Sequence, residues 1–528
     1  MKVSDDCKVS FSTAEMLYYV YFSILLALKG LGFYDGQPVF RTLLVVAVLF
    51  WAGKMCVTAY TWREFFIVGL LLVLGGVSYL VSGEKGALLY IFMITGLKNI
   101  SLKRVFTVGC CVWSLCFVGL IWLNALHIPE GPFVVHEKLG MGMIIRWGLG
   151  YSHPNVLHIS YLVFIMFLVY LAGDKFSWKW AVVCMLGNLL IYCYSVSNTG
   201  VIAVTLYLLL CLYWRYKGKL QAVDKLLIKL TLPVCVLFSL LAPILLTGKA
   251  YEIVNDITNT RLRLADHFLR LRPPTLFGVR LSEIITAQLT MDNSYVFAFV
   301  TYGIVMFAVI ICAYLLIIHK YCKEQKGAEL CVMISCFAAG ITEPFMFNTS
   351  FKNLSLLFMK DILFQEDKEA RLYFLSGINR QHEISFGGIV NACRHMAAVI
   401  CDKKRLLIIA SLTGCLVGAL SYQIVKQEPQ RILVPENACD QWVLKVNEDS
   451  LSSYYLASEK EVPQSTDVVV GYVNSETRMI AYSGGIVWME HVRGLICSGI
   501  TLGALFAAAV CLLYYGRNDD RKKGHGDI

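Results

Sequence analysis

Charge is scarce in this chain. Only 16% of its 528 residues are charged, against about 25% in an ordinary soluble domain. Hydrophobic residues make up 57%, the mean hydropathy is +0.62, and the apolar residues come in long blocks. That shortage excludes a soluble protein with a large core and leaves a polytopic membrane protein. No CxxC pair occurs among the 19 cysteines, most of which sit in apolar runs, for example Cys110, Cys111, Cys116 and Cys511. A zinc site or a thiol redox centre is therefore not expected, and neither a metal nor a cofactor is called for. No kinase P-loop is present. No signal-peptidase site follows the first apolar block, which is expected to be a retained helix. The formal net charge of +10 requires no nucleic acid as partner. In a membrane protein, excess Lys and Arg collect on the cytoplasmic side.

A spanning helix needs roughly 20 mostly apolar residues. Such blocks lie near 13–32, 41–60, 64–82, 103–124, 154–172, 177–196, 200–214, 230–247, 294–318, 404–425 and 490–515, with weaker ones near 85–97, 328–343 and 351–365. The fold expected is all-α, with about fourteen crossings by the length rule. Counted from a cytoplasmic N-terminus, the inner gaps hold Lys98, Lys103 and Arg104, then Lys175 and Lys179, then Arg215, Lys217, Lys219, Lys225 and Lys229, then Lys320, Lys323 and Lys326. The 366–403 segment and the basic tail fall on the same side, so both termini are expected in the cytoplasm. Only Cys439 is placed firmly outside, which leaves no external intrachain disulfide.

Under this threading, 248–293 is an external loop, and its five arginines, Arg261, Arg263, Arg270, Arg272 and Arg280, break the charge bias. As a helix, "TRLRLADHFLRLRPP" sets Leu264, Phe268 and Leu271 on one stripe and Arg263, His267 and Arg270 on another, ending at Pro273 and Pro274. One reading is an interfacial helix whose arginines bind lipid phosphates. The other is a phosphate-binding element of an active site, because arginine binds phosphate bidentately and keeps its charge.

Other external segments supply further candidates. In "RWGLGYSHPNVLH", Arg146 precedes a Gly-rich turn, and His153, Pro154 and Asn155 open a helix whose N-terminus favours an anion. A plain capping role for His153 is the alternative. In "TMDNSYVFAFVTYG", capping is the favoured reading of Asp292, and a catalytic carboxylate is the other. Glu343 in "GITEPFMFN" is a carboxylate at membrane depth, which makes it a functional candidate or a structurally paired group.

These segments, in this order, resemble the bacterial O-antigen polymerase (Wzy-like) and O-antigen ligase superfamily. The features are "GYSHPN" opening a helix, "IYCYSVSNTG" between two helices, "NTRLRLA" and "LFG" in a long external loop, "DNSYVFAFVTYG" entering a helix, and a "TEPF" turn, all within about residues 10–365. Where many relatives have Ser-Arg-Thr, this chain has Ser197-Asn198-Thr199-Gly200, so no arginine ligand carries over there.

The resemblance implies a GT-C-like multi-helix bundle in the bacterial cytoplasmic membrane, acting as a metal-independent glycosyltransferase. It would polymerise undecaprenyl-diphosphate-linked oligosaccharide repeat units into capsular, exo- or O-antigen polysaccharide on the outer face. Arg146, Arg261, Arg263 and Arg270 would bind the diphosphate, and His153, Asp292 and Glu343 are the catalytic candidates, with His267 also open as general base. A flippase, a chain-length regulator and membrane lipids are the partners implied. A ligase on the same fold and a lipid-linked oligosaccharide flippase are the competing readings, but internal repeats of the transporter kind are not evident.

The organisation expected is a polymerase-like membrane domain over 1–365, a cytoplasmic linker over 366–403 and a two-helix region over 404–528 around an external loop, 427–488. That last region resembles the Wzz-like co-polymerases that regulate chain length, with strands expected at "STDVVVGYVN" and "TRMIAYSGGIVWM". A two-helix appendage that stabilises the bundle is the alternative.

Overall fold

The computed structural model describes residues 8–125, 133–138, 142–271, 274–281, 291–364, 371–372, 374–385, 387–425, 430–435, 455–458, 469–474, 477–482 and 484–523. Arg272, Pro273 and Cys439 lie outside the described residues. The chain divides into two compact units, one over 12–134 and 146–380, the other over 1–11, 135–145 and 381–528.

The first unit is a helical bundle. Its helices are α1 (Thr13–Gly30), α2 (Pro38–Val57), α3 (Trp62–Ser82), α4 (Gly86–Thr95), α5 (Leu102–Ala125), α6 (Pro154–Ala172), α7 (Trp178–Ser195), α8 (Asn198–Lys217), α9 (Ala222–Leu245), α10 (Gly248–Ile257), α11 (Arg261–Leu271), α12 (Ser294–Glu324), α13 (Gly327–Ala339) and α14 (Lys360–Leu363). The second unit holds α15 (Gly387–Asp402), α16 (Lys404–Val425) and a long terminal helix, Gly484–Lys523. Nine helices among the described residues are long and apolar enough to cross a membrane, which makes this a multi-pass membrane protein. The span at α6 is 61% buried within the protein, against 22% for α2, α3 and α9. Hence α6 forms the centre, and the others turn large side chains such as Phe66, Leu80 and Leu237 outward.

Nine is fewer than the fourteen expected. α1 and α7 have 18 residues each and carry buried polar groups, Glu15 and Lys29 in one, Asn188 and Ser195 in the other. α4 and α13 have only 10 and 13 residues. At 1.5 Å per residue they are about 15 and 20 Å long, too short to cross a ~30 Å core alone. The block at 351–365 is not a long helix at all. It is a 3₁₀ segment, Leu354–Met359, running into α14. Every side chain of that segment is buried, so its irregular backbone meets protein rather than lipid. Asn353 caps it by accepting from the Ser355 amide at 3.2 Å and donating to Met346 O at 2.9 Å.

Two ends of the bundle can be told apart by their polar links. At one end Arg104 pairs with Glu15 at 3.0 Å, Lys98 with Glu64, Lys326 with Asp361 at 2.9 Å, Lys217 with Asp224 at 2.7 Å and Arg215 with Asp174 at 3.4 Å. Gln325 accepts from the Leu220 amide at 2.7 Å, and Lys360 donates to Ile100 O. The basic gaps named from sequence are thus gathered at this end. The opposite end holds Arg146, Ser195, Thr199, Arg261, Asp292 and Thr342, which are linked as described below.

α12 is broken at Gly303, whose φ of 76° and ψ of 175° leave the helical region. Residues 275–279 fill the gap. Ile304 N donates to Thr275 O at 2.9 Å, Val305 N to Leu276 O at 3.1 Å, and Val279 N to Val300 O at 3.2 Å. Backbone groups freed at membrane depth must find partners within the protein, and here a loop supplies them. A Cβ on Gly303 would lie 2.3 Å from Gly278 N.

In the second unit, four strands pair antiparallel in the order Tyr455–Ser458, Gln430–Pro435, Thr477–Tyr482, Val469–Asn474. Two of these were expected, although Gly484 begins a helix where "SGGIVWM" was read as strand. α16 packs on the terminal helix through Gly414 and Gly418. A Cβ on Gly418 would come within 2.2 Å of Ser498 O.

Candidate functional site

The site is built from segments distant in sequence. α10 and α11 are joined by a tight turn in which Asn259 and Thr260 have φ of 52° and 66°. Left-handed backbone is costly for a β-branched residue. It is held here by Thr260 N donating to Asn255 O at 2.8 Å. The turn sets Arg261 at the start of α11, which buries Leu262, Ala265 and Phe268. The buried stripe is therefore rotated from the one expected. Leu271 is exposed, Leu264 is half-buried, and Phe268 alone was correctly assigned.

Arg261 has most of its donors fixed. Its Nε donates to Thr342 O at 2.6 Å and its Nη1 to Thr258 O at 3.4 Å. Its Nη2 reaches Glu343 Oε1 at 3.3 Å and lies 3.8 Å from Asp292 Oδ2. Glu343 follows the C-terminal turn of α13 and is only 6% exposed. Its backbone oxygen accepts from Ser294 Oγ at 2.5 Å. Both side-chain bonds fall on Oε1, from Arg261 and from Asn155 Nδ2 at 2.8 Å. No group among the described residues bonds Oε2. Burial pushes the carboxyl up to about 7, and Asp292 adds to this, while Arg261, Arg146 and Lys352 oppose it.

Arg146 enters through Asn155. Its Nη2 donates to Asn155 Oδ1 at 2.5 Å, and its Nε donates to Ser195 O at 2.7 Å. That carbonyl ends α7, where Val196 turns left-handed, so the guanidinium meets an orphan carbonyl at the negative end of the helix dipole. Burial lowers the Arg146 pKa to about 10. Ser195 is held in turn by His158. Asn188 Nδ2 donates to Val201 O at 3.1 Å, which turns its Oδ1 to His158 Nε2 at 2.7 Å. Nε2 then carries the hydrogen, and Nδ1 accepts from Ser195 Oγ at 2.8 Å. Gly200 leaves room for this ring, since a Cβ there would sit 2.2 Å from His158 Cγ.

The structure thus joins Arg146, Glu343, Asp292 and Arg261 among the candidates from sequence. His153 is adjacent and acts as the N-cap of α6, its Nδ1 accepting from Asn155 N at 3.1 Å. Asp292 is not the cap of α12. Asn293 is, accepting from the amides of Tyr295 and Val296, which leaves Asp292 to face Arg261. Arg263 and Arg270 are not brought to the site. Both are exposed on α11, as is His267, and Arg270 pairs with Asp266 at 2.6 Å.

Ser195, His158 and Thr342 complete the site and were not singled out for it, and Asn155 was named only with His153 and Pro154 at the opening of α6. Thr342 also donates through Oγ1 to Thr199 Oγ1 at 3.0 Å, within the stretch where an arginine was missed. Beside Arg261 opens a shallow cleft lined by Ser239, Pro243, Leu262, Asn293 and Ile341. Among the described residues no group of three His, Cys, Asp or Glu could hold a metal ion. An arginine paired with a buried carboxyl can bind an anion, and the carboxyl can exchange a proton. No protein-family model, curated protein or solved structure matches the chain.

Proposed function

We propose that the chain is a polysaccharide polymerase of the cytoplasmic membrane. In this reading it joins undecaprenyl-diphosphate-linked repeat units on the outer face, where the Arg261 end of the bundle lies, with both termini in the cytoplasm. One observation carries it. Arg261 directly, and Arg146 through Asn155, both from motifs far apart in the sequence, meet at one buried carboxyl, Glu343. Arg261 binds the donor's diphosphate, whose charge grows as the C1–oxygen bond breaks. A hydroxyl oxygen of the acceptor sugar forms the new bond to C1, lipid diphosphate departs with the bonding pair, and the hydroxyl proton passes to Glu343 Oε2. A base with a pKa near the working pH suits that step. Asp292 and His153 border the site as alternative proton acceptors. The second unit, two spans flanking a small antiparallel sheet, acts in chain-length control.

The test is polymer formation by the purified protein in proteoliposomes supplied with lipid-diphosphate-linked repeat unit. Lengthened lipid-linked product is expected from the wild type, and none from Arg261→Ala. Translocation of the unit without lengthening would replace this reading with transport.

A further inference from the structure

We infer that the Arg261 site binds its phosphate-class anion together with a proton: the anion takes over the Arg261 contact now made by carboxylates, and Glu343 becomes protonated on Oε2. The inference rests on the reading above and adds a linkage to it. Three positions of the Arg261 guanidinium have named partners, and they differ in kind. Nε and Nη1 are held by the backbone oxygens of Thr342 and Thr258. Nη2 alone faces side-chain carboxylates, Glu343 at 3.3 Å and Asp292 at 3.8 Å. The second distance is beyond hydrogen-bond reach. The exchangeable end of Arg261 is therefore the end an anion would engage, and the Asp292 side chain beside it is 30% exposed.

Arrival of that anion acts on Glu343 twice. It draws away the nearest cation, and it adds a like charge beside a carboxyl that is already buried. The remaining neighbours do not compensate. Arg146 does not touch Glu343 and reaches it only through the Asn155 amide. Lys352 has its Nζ directed to Val156 O at 3.2 Å and Ser160 Oγ at 2.8 Å. Asp292 is a carboxylate itself and pushes in the same direction as the anion. Asn155 Nδ2 stays on Oε1 in either protonation state, and Oε2 is left to take the proton. The carboxyl sits at about 7 before any anion arrives, so a further rise makes it mostly protonated near neutral pH in the anion complex, and the ionised fraction that serves as base there grows only as pH rises further. By reciprocity, the anion binds the protonated site more tightly, and its affinity falls as pH rises.

The experiment titrates farnesyl diphosphate, a soluble lipid diphosphate, into the full-length protein in phosphatidylcholine nanodiscs. Heats are measured at pH 7.5 in buffers of different ionisation enthalpy, for the wild type, Glu343→Gln and Asp292→Asn. Protonation of the probe itself cancels in the comparison. The wild type is expected to take up roughly half a proton more than Glu343→Gln, for a one-unit rise in the carboxyl pKa. Between pH 7 and 9 its affinity should weaken several-fold more than that of Glu343→Gln. Asp292→Asn should retain the uptake. An infrared difference spectrum of the wild type alone should gain a protonated-carboxyl band on binding, which keeps the test independent of how the variants fold. Binding with equal proton counts in wild type and Glu343→Gln, or with no new carboxyl band, overturns the linkage and leaves the diphosphate reading standing. Uptake lost in Asp292→Asn but kept in Glu343→Gln overturns the assignment to Glu343. Absence of any binding overturns both.

Discussion

Arg261→Lys keeps a positive charge but loses the planar fork that holds two backbone oxygens while facing a third group. A charge-assisted contact is worth roughly 1.5–3 kcal/mol, so losing one in the transition state slows a reaction about 10- to 150-fold. Polymer formed per inserted molecule should fall by that order in Arg261→Lys and further in Arg261→Ala, whereas Arg263→Ala and Arg270→Ala should stay near wild type. If lysine substitutes fully at position 261, the arginines serve lipid headgroups instead. A second expectation concerns pH. Glu343 is raised to about 7, and a base works only when ionised. The rate should therefore climb as pH rises through 7, with the limb higher still under saturating donor, where the bound anion raises the carboxyl further. A rate measured from pH 5.5 to 9 should show that limb in the wild type and not in the residual activity of Glu343→Gln. Arg261 stood out in the sequence because its charge breaks the bias expected of the threading, and the structure sets it against Glu343 and Asp292. Asn155 was named only at the opening of a helix, because nothing local tells that its amide bridges Arg146 and Glu343. Asp292 was misread for the same cause, since Asn293 beside it is an equally good cap and took the role.

At the level of elements, the broken helix gives the clearest expectation. Alanine at Gly303 would face both a φ of 76° and a backbone nitrogen 2.3 Å from its Cβ. Strain of this kind costs about 1–3 kcal/mol for the dihedral alone, and here a backbone must also move. Gly303→Ala, and likewise Gly278→Ala, should lower the thermal midpoint in detergent by several degrees, while Gly76→Ala, which meets nothing within 4 Å, should leave it unchanged. An unaltered midpoint in Gly303→Ala would show that the break is not held by that contact. Long spans were readable because length and hydropathy are properties of a local window. The 3₁₀ segment Leu354–Met359 was not, since an apolar run reads as helix and only its burial on all sides permits another backbone. The strands at Gln430–Pro435 and Tyr455–Ser458 were missed, and their place in the sheet is set by partners far along the chain.

For the whole molecule, the gathering of basic segments at one end sets the topology test. Single cysteines on a cysteine-free background at position 219 should resist membrane-impermeant maleimide in intact cells, and ones at position 249 should label. Labelling at 219 would reverse the scheme. Removing 400–528 should leave a polymerising bundle whose product has an altered length distribution. Complete loss of polymer, with the bundle shown to be folded, would assign the second unit to bond formation rather than length. The two ends of the bundle were visible in advance because lysine and arginine counts report on gaps, not on contacts. The depth of Glu343 among its partners was not, because a window average contains no information on what lies across the bundle.

The filling of the α12 break by residues 275–279 bears on how such a protein can be recombined. That stretch supplies the bonds which a continuous helix would make for itself, so it belongs to the helix in energetic terms, though it is a loop in connectivity. A chimera that exchanges the 248–293 segment must therefore carry Gly303 and the residues around it from the same parent. A crossover placed at residue 293, the evident boundary between loop and helix, would separate a wedge from its slot.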